Sequence, residues 1–258
     1  MAQLQALIFD VDGTLADTER DGHRVAFNQA FAEAGLDWEW TVDGYRSLLE
    51  VAGGKERIRF YRERYTPDWY PTEDLFTWSA ALHQAKTRYY RELLVQGKIP
   101  LRPGVRRLIQ EARAAGLRLA IATTSAIENV IPLLEVTLGP ESPQWFEVIA
   151  AGDMVPAKKP APDVYLHVLE AMKLLPQTCL AIEDSYQGLQ AALQANLTTV
   201  VTVNPYTQQH DFSQASLVVD CLGEPDKPFQ VLMGGTYQAT WFDLEVANAL
   251  LEVAAKGA

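Results

Sequence analysis

Cysteine is nearly missing from this chain. Cys179 and Cys221 are the only two among 258 residues, far apart and in no CxxC pair. That excludes a disulfide framework and a thiolate zinc site, and it suits a reducing compartment. Basic residues are also scarce, with 22 Lys and Arg against 33 Asp and Glu and a net charge of -11. Such a chain does not bind nucleic acid or an anionic membrane through bulk electrostatics. Any phosphorylated ligand must be held by a local cluster of donors or by a metal. No apolar run approaches the roughly 18 residues of a membrane span. The start, MAQLQALIFD, has neither a basic region nor a long apolar core. The expectation is therefore a cytoplasmic protein with no signal peptide. Internal repeats and low-complexity tracts are absent too. What is plentiful is apolar side chain, 48% of residues, enough for one large or two modest domains with real cores.

The chain changes texture twice. Residues 4–9 form an apolar run without alternation, the mark of a parallel strand buried on both faces. From about Asp17 to Gly97 the pattern is helical and rich in aromatics, with no convincing strand. His23 to Ala34 places Phe27 and Phe31 on one face. GKERIRFYRER, residues 54–64, is a basic helix after Gly53-Gly54, with Arg59, Arg62 and Arg64 expected on the surface. Leu75 to Gly97 reads as a long helix, with Leu75, Trp78, Leu82, Ala85, Tyr89 and Leu93 at helical spacing. After LRPG, residues 101–104, strands and helices alternate. Strands are expected at 117–122, 145–150, 178–182, 198–203 and 217–219. Helices are expected at 105–115, from Asp163, at 187–194 and at 244–255. This rhythm implies parallel βαβ units. The fold class is α/β, a Rossmann-like doubly wound parallel sheet, with core segments 1–16 and 98–258 and an inserted helical domain over 17–97.

Four of these strand ends carry complementary chemistry. The first ends in Asp10 and Asp12, the second in Thr123-Thr124-Ser125. A later loop supplies Lys159, and a further strand ends in Glu183-Asp184-Ser185. Each is ordinary by itself: an Asp-Gly turn, a helix cap, a loop lysine, an acidic helix start. In a doubly wound sheet, however, all of them meet on one edge, where ligands bind. A carboxylate there can attack phosphorus and form an aspartyl-phosphate. Its charge opposes approach to a phosphate dianion, so magnesium and Lys159 must offset the repulsion. Magnesium prefers one or two carboxylates and keeps waters, which fits Asp10 and Asp184 with a backbone oxygen of Asp12. The Thr123 hydroxyl and the backbone N–H groups near Thr124 and Ser125 suit phosphate oxygens. Asp12 is placed to protonate the leaving oxygen and later to deprotonate water.

The set DVDGTL, IATTS, KKPAP and IEDS resembles the four signature motifs of the haloacid dehalogenase (HAD) superfamily. The insertion after the first motif resembles the helical cap of the β-phosphoglucomutase-like subfamily. The resemblance implies Asp10 as nucleophile, Asp12 as acid and base, Thr123 as phosphate-binding hydroxyl and Lys159 as charge-stabilising lysine. It implies Asp10 and Asp184 as magnesium ligands, with Glu183 supporting the metal or its waters. Dehalogenases of this fold lack an acid at the position of Asp12, so its presence implies phosphoryl transfer. TLADTER, HRVAFNQAFAEAGLDWEW and GGKERI further resemble CbbY-type sugar-bisphosphate phosphatases, which remove a phosphate from xylulose-1,5-bisphosphate, an inhibitor of Rubisco. That resemblance makes Glu19 and the loop Gly53-Gly54-Lys55-Glu56-Arg57 substrate contacts. A bisphosphate needs cations for the phosphate that does not react, and Lys55 and Arg57 would supply them. His23 is either a substrate contact or a hydrogen-bonded cap histidine.

The resulting expectation is a monomeric, magnesium-dependent phosphatase whose only partner is a small phosphorylated sugar. The rivals are a β-phosphoglucomutase, a phosphoglycolate phosphatase, whose smaller substrate leaves Lys55 and Arg57 without an obvious role, and a catalytically silent binding or regulatory protein on the same fold.

Overall fold

The computed structural model describes residues 3–51, 53–152, 154–235 and 239–257. The chain divides into two compact units, Met1–Asp17 with Pro100–Ala258, and Thr18–Ile99.

The first unit is built on a seven-stranded sheet of order β3-β2-β1-β4-β5-β6-β7. The strands are β1 Ala6–Phe9, β2 Arg118–Ala122, β3 Val148–Ala150, β4 Cys179–Glu183, β5 Thr198–Thr202, β6 Leu217–Val219 and β7 Val231–Gly234. The first six are parallel and β7 is antiparallel to β6. All four residues of β1 are buried, as the absence of alternation requires for a strand covered on both faces. The chain leaves β1 on one side to β2 and β3 and returns on the other side to β4. The strand order therefore reverses at β1, the switch point where doubly wound sheets bind ligands. Register sets the site: Phe9 pairs with Ile121 and with Ile182, so Asp10 stands level with Ala122 and Glu183.

Helices of this unit are Val105–Ala114, Ile127–Leu138, Asp163–Met172, Tyr186–Gln194 and Leu244–Gly257. Val164, Tyr165 and Val168 of the third pack with Ala6, Ile8, Ala122 and Ala181 of the sheet in one buried cluster. Small residues on these central strands let the helices approach closely. Three elements depart from the sequence expectation. Ile127–Leu138 has no predicted counterpart, because it is apolar on most sides and carries Pro132 in its interior, which hides a 3.6-residue stripe. The expected strand over 145–150 is instead a short 3₁₀ turn, Ser142–Trp145, followed by a strand confined to Val148–Ala150. The antiparallel strand β7 is also absent from the sequence reading. It is a mostly exposed edge strand, so burial imposes no apolar run on it.

The second unit is helical, with a π-helical turn at Thr18–His23 and helices α1 Arg24–Glu33, α2 Val42–Leu48, α3 Gly54–Tyr65 and α4 Leu75–Val95. The described residues of this unit contain no strand. Thr41 caps α2 by accepting from Gly44 N, and Asp74 caps α4 by accepting from Thr77 N. Its core is aromatic: Phe27, Phe31, Trp38 and Trp40 stack or meet edge to face, with centroids 4.6–6.0 Å apart. The buried face of α4 runs through Ser79, Leu82, Lys86, Tyr90, Leu93 and Leu94. It is rotated from the predicted stripe, with Tyr90 rather than Tyr89 inside and Lys86 buried. Arg62, expected at the surface, is buried as well. Its guanidinium donates to Trp69 O at 2.7 Å and Pro67 O at 3.0 Å and lies over the Tyr70 ring. No helix among the described residues is long and apolar enough to cross a membrane.

Candidate active site

The C-terminal ends of β1, β2 and β4 bring the core motifs together. Asp10 follows β1 directly and is buried, its N–H donating to Ile182 O at 3.0 Å. Glu183 closes β4 and is fully buried, and Asp184 follows it. One carboxylate oxygen from each of Asp10, Glu183 and Asp184 lies within 4.8 Å of the others. Three acids this close repel one another strongly in a buried setting. Lys159 answers part of that charge. Its ammonium donates to Asp10 Oδ1 at 2.7 Å, to Glu183 Oε1 at 2.6 Å and to Ala122 O at 2.8 Å. Burial by itself lowers the Lys159 pKa, but Asp10 and Glu183 more than reverse that and raise it, so the lysine stays charged. Burial pushes Glu183 up to about 7, against the pull of Lys159. Asp184 is raised well above the carboxylate range by burial, then by Asp10 and Glu183. A cluster of buried acids of this kind suits a cation.

The donor set suits a magnesium ion, since the cluster offers hard oxygen ligands only, from buried carboxylates, with no imidazole or thiolate. Asp12 adds no carboxylate to this cluster. Its side chain is turned toward Thr123-Thr124-Ser125, where Ser125 Oγ donates to Asp12 Oδ2. Thr123 is buried, its N–H donating to Ala150 O and its hydroxyl accepting from Ser125 N at 3.1 Å. Thr124 is exposed.

Several residues that shape this site lie outside the strand-end motifs. Tyr165 OH donates to Glu183 Oε1, on the side away from solvent. A Cβ at Gly188 would fall 1.9 Å from Glu183 Oε2, so only glycine fits beneath that carboxylate. Arg102 is buried and donates to Gly13 O, Thr202 O, Val203 O and Asp220 O, while its Nε lies 3.5 Å from Asp17. It ties the loop after β1 to the ends of β5 and β6. A lone arginine before Pro-Gly carries no sequence signal for that role.

In the helical unit, Glu19 is half-buried and accepts from Tyr45 OH at 2.7 Å. Gly53 and Gly54 form the entry to α3, Lys55 is exposed on its first turn, and Glu56 pairs with Arg59 at 2.9 Å. Arg57 is engaged within this unit, with Nη1 3.8 Å from Glu19 Oε2. Its guanidinium is buried and donates to Leu48 O at 2.9 Å, Tyr45 OH at 2.6 Å and Val51 O at 3.4 Å. Those bonds hold α3 to α2, which leaves Lys55 as the cation of this loop that faces solvent. His23 is buried, stacked on Tyr90 with centroids 4.2 Å apart. Lys86 Nζ lies 2.8 Å from its Nδ1. An ammonium has no lone pair, so Nδ1 accepts and the ring is neutral. Burial, then Lys86, Arg57 and His83, accordingly hold the His23 pKa well below its usual value.

A buried acid cluster with an engaged lysine, at the reversal point of a doubly wound sheet, defines a HAD-type hydrolase site. A family model described as haloacid dehalogenase-like hydrolase matches residues 4–196. The chain is 51% identical over 213 residues to protein CbbY of Rhodobacter capsulatus, across 83% of this chain and 91% of that one. It is 48% identical over 247 residues to the plasmid CbbY of Cupriavidus necator, across 95% and 96% of the two chains. Among solved structures it matches a mutant CbbY from Rhodobacter sphaeroides in complex with xylulose-(1,5)-bisphosphate, with TM-score 0.73 and 42% identity over 85% of this chain and 95% of that chain. The chain belongs to the haloacid dehalogenase-like hydrolases, in their CbbY-type branch, and is a phosphatase.

Proposed function

We propose that this phosphatase is magnesium-dependent, acts on sugar bisphosphates through an aspartyl-phosphate, and takes xylulose-1,5-bisphosphate as its substrate. The observation that carries the mechanism is the buried triad of Asp10, Glu183 and Asp184 with Lys159 between two of its members. The substrate assignment is supported by the CbbY protein of Rhodobacter sphaeroides, which is 42% identical and binds that bisphosphate.

Asp10, with Glu183 and Asp184 beside it, would hold the magnesium ion, which when bound screens the carboxylates from the phosphate dianion. Lys159 orients the Asp10 carboxylate. The free Asp10 oxygen attacks phosphorus as the bond to the sugar oxygen breaks. Asp12 gives its proton to that leaving oxygen, and the sugar departs with its second phosphate. Asp12, now ionised, takes a proton from a water that attacks the phosphorus of the aspartyl-phosphate. Inorganic phosphate leaves and Asp10 is regenerated. Thr123 and the backbone at Thr124 and Ser125 serve the phosphate oxygens, and Ser125 restrains Asp12 until substrate arrives. Lys55 serves the phosphate that stays on the sugar, with Glu19 on the sugar hydroxyls. The partner is this small molecule alone, met by a monomer.

The test is phosphate release from a panel of sugar mono- and bisphosphates with magnesium. The highest kcat/KM is expected for xylulose-1,5-bisphosphate. Equal turnover of monophosphates, or isomerisation of a hexose phosphate without phosphate release, would overturn the substrate assignment.

A further inference from the structure

The carboxylate of Asp184 is governed by a residue that belongs to none of the motifs. Asn204 lies just past β5 and is 8% exposed. Its Oδ1 accepts the N–H of Tyr206 at 2.9 Å, closing an Asx turn. Its backbone is held in the same turn, with N–H donating to Thr207 Oγ1 and C=O accepting from the N–H groups of Thr207 and Gln208, all at 3.1 Å. With Oδ1 committed, the orientation of the amide is decided, and Nδ2 faces Asp184. It donates to Asp184 Oδ2 at 2.6 Å. From the other side, Gly13 at φ +90° allows the pair to sit against the loop after β1. A Cβ there would lie 2.3 Å from Asp184 Oδ2 and 2.6 Å from Asn204 Nδ2. The Asp184 carboxylate is thus hemmed in by backbone on one side and tethered by an amide on the other.

We propose that Asn204 is a positioning residue that sets the metal selectivity of the site. By engaging Oδ2, it leaves Asp184 to meet a cation through its other oxygen alone. Magnesium takes single oxygens in a tight octahedron, whereas calcium accepts more ligands and carboxylates that bind through both oxygens. Holding Asp184 to one oxygen therefore favours magnesium and withholds a ligand from calcium. This inference rests on the magnesium reading above.

The test is calorimetric titration of the full chain, stripped with EDTA and dialysed, with magnesium chloride alone and calcium chloride alone, without substrate. Asn204→Ala is expected to weaken magnesium binding by about 10–100-fold, the usual range for a lost partner of a metal ligand. Calcium should lose less, so the preference moves toward calcium. Asn204→Ser keeps an acceptor for the Tyr206 N–H but adds no charge and is too short to reach Asp184, and should move the ratio the same way. The metal-free melting temperature of Asn204→Ser should stay near that of the parent. Equal losses for both cations, or loss only in step with a lower metal-free melting temperature, would overturn the proposal and leave Asn204 a folding residue. Unchanged magnesium affinity in both variants would overturn it too, with the magnesium reading intact. No magnesium binding by the parent chain would overturn both.

Discussion

Both units of this protein bury charge, but they handle it differently. At the sheet edge, Asp10, Glu183 and Asp184 crowd together and Lys159 answers only some of their charge. In the helical unit the buried charges are cations. Arg57 and Arg62 spend their donors on backbone carbonyls and a tyrosine hydroxyl, and Arg62 lies over an aromatic face. Buried charge is tolerable when hydrogen bonds saturate it. The arginines meet that condition inside their own unit and hold helices together. The three carboxylates gather round one lysine, which concentrates negative charge at the sheet edge. The difference makes the exposed Lys55, rather than the buried arginines, the first cation of the helical unit to test for specificity.

The comparison can be broken most forcefully at Asp10. Asp10→Asn keeps the size, removes the nucleophile and relieves repulsion with Glu183 and Asp184. Phosphate release should fall by roughly 10⁴-fold or more, in line with losses of nucleophiles elsewhere. The melting temperature should hold or rise. Turnover near the parent rate would end the covalent mechanism. Chelation should act on the same site: EDTA should take phosphate release to background and magnesium should restore it. Calcium should inhibit, because its looser coordination misplaces the attacking carboxylate. Full activity in a thoroughly chelated sample would contradict the role given to the acid triad.

The next effects separate two neighbours on α3. If bound substrate buries its charge pair with Lys55, Lys55→Ala should lower kcat/KM for the bisphosphate by roughly 2–5 kcal/mol in transition-state terms, while slow hydrolysis of a monophosphate changes little. Its stability should not move, as the side chain is exposed. Arg57→Ala should do the opposite in kind. Loss of two buried hydrogen bonds and a longer, part-buried one should cost about 3 kcal/mol in urea unfolding, with both substrates affected alike. A selective loss of bisphosphate turnover in a stable Arg57→Ala would return that residue to the substrate.

The smallest effect is a pH dependence of stability. Burial, then Lys86, Arg57 and His83, depresses the folded pKa of His23 far below 6.5. Below pH ~6.5 the unfolded chain takes a proton there that the folded chain refuses. The stability contributed by neutral His23 is present above that pH and is lost as pH falls. The loss approaches about 1.4 kcal/mol per pH unit for a fully buried group. Urea midpoints measured between pH 7.5 and 5.5 should fall more steeply in the parent than in His23→Gln. Parallel slopes would remove His23 as the source.

The sequence alone was enough for the parallel part of the sheet, the helical texture of residues 17–97 and the acids at the strand ends. These are contiguous signals: an unbroken apolar run for β1, acids and hydroxyls at strand ends, and a helical texture between residues 17 and 97. Register then carries them to one edge, because strands of a doubly wound sheet point the same way. Where the local signal was blurred, the reading failed, as at Ile127–Leu138, apolar on most sides around Pro132. Tertiary structure alone decided the supporting cast. Asn204 reaches Asp184 from 20 residues away, Tyr165 reaches Glu183 from 18, and Arg102 joins Gly13 to Thr202 across 89 and 100. It also decided that Arg57 belongs to its own unit and that Lys86 and Tyr90 face inward. Such roles depend on which groups a folded chain brings within hydrogen-bonding distance. No spacing along the sequence encodes that, since an asparagine after a strand or an arginine on a helix looks the same whether it is buried against a carboxylate or open to water.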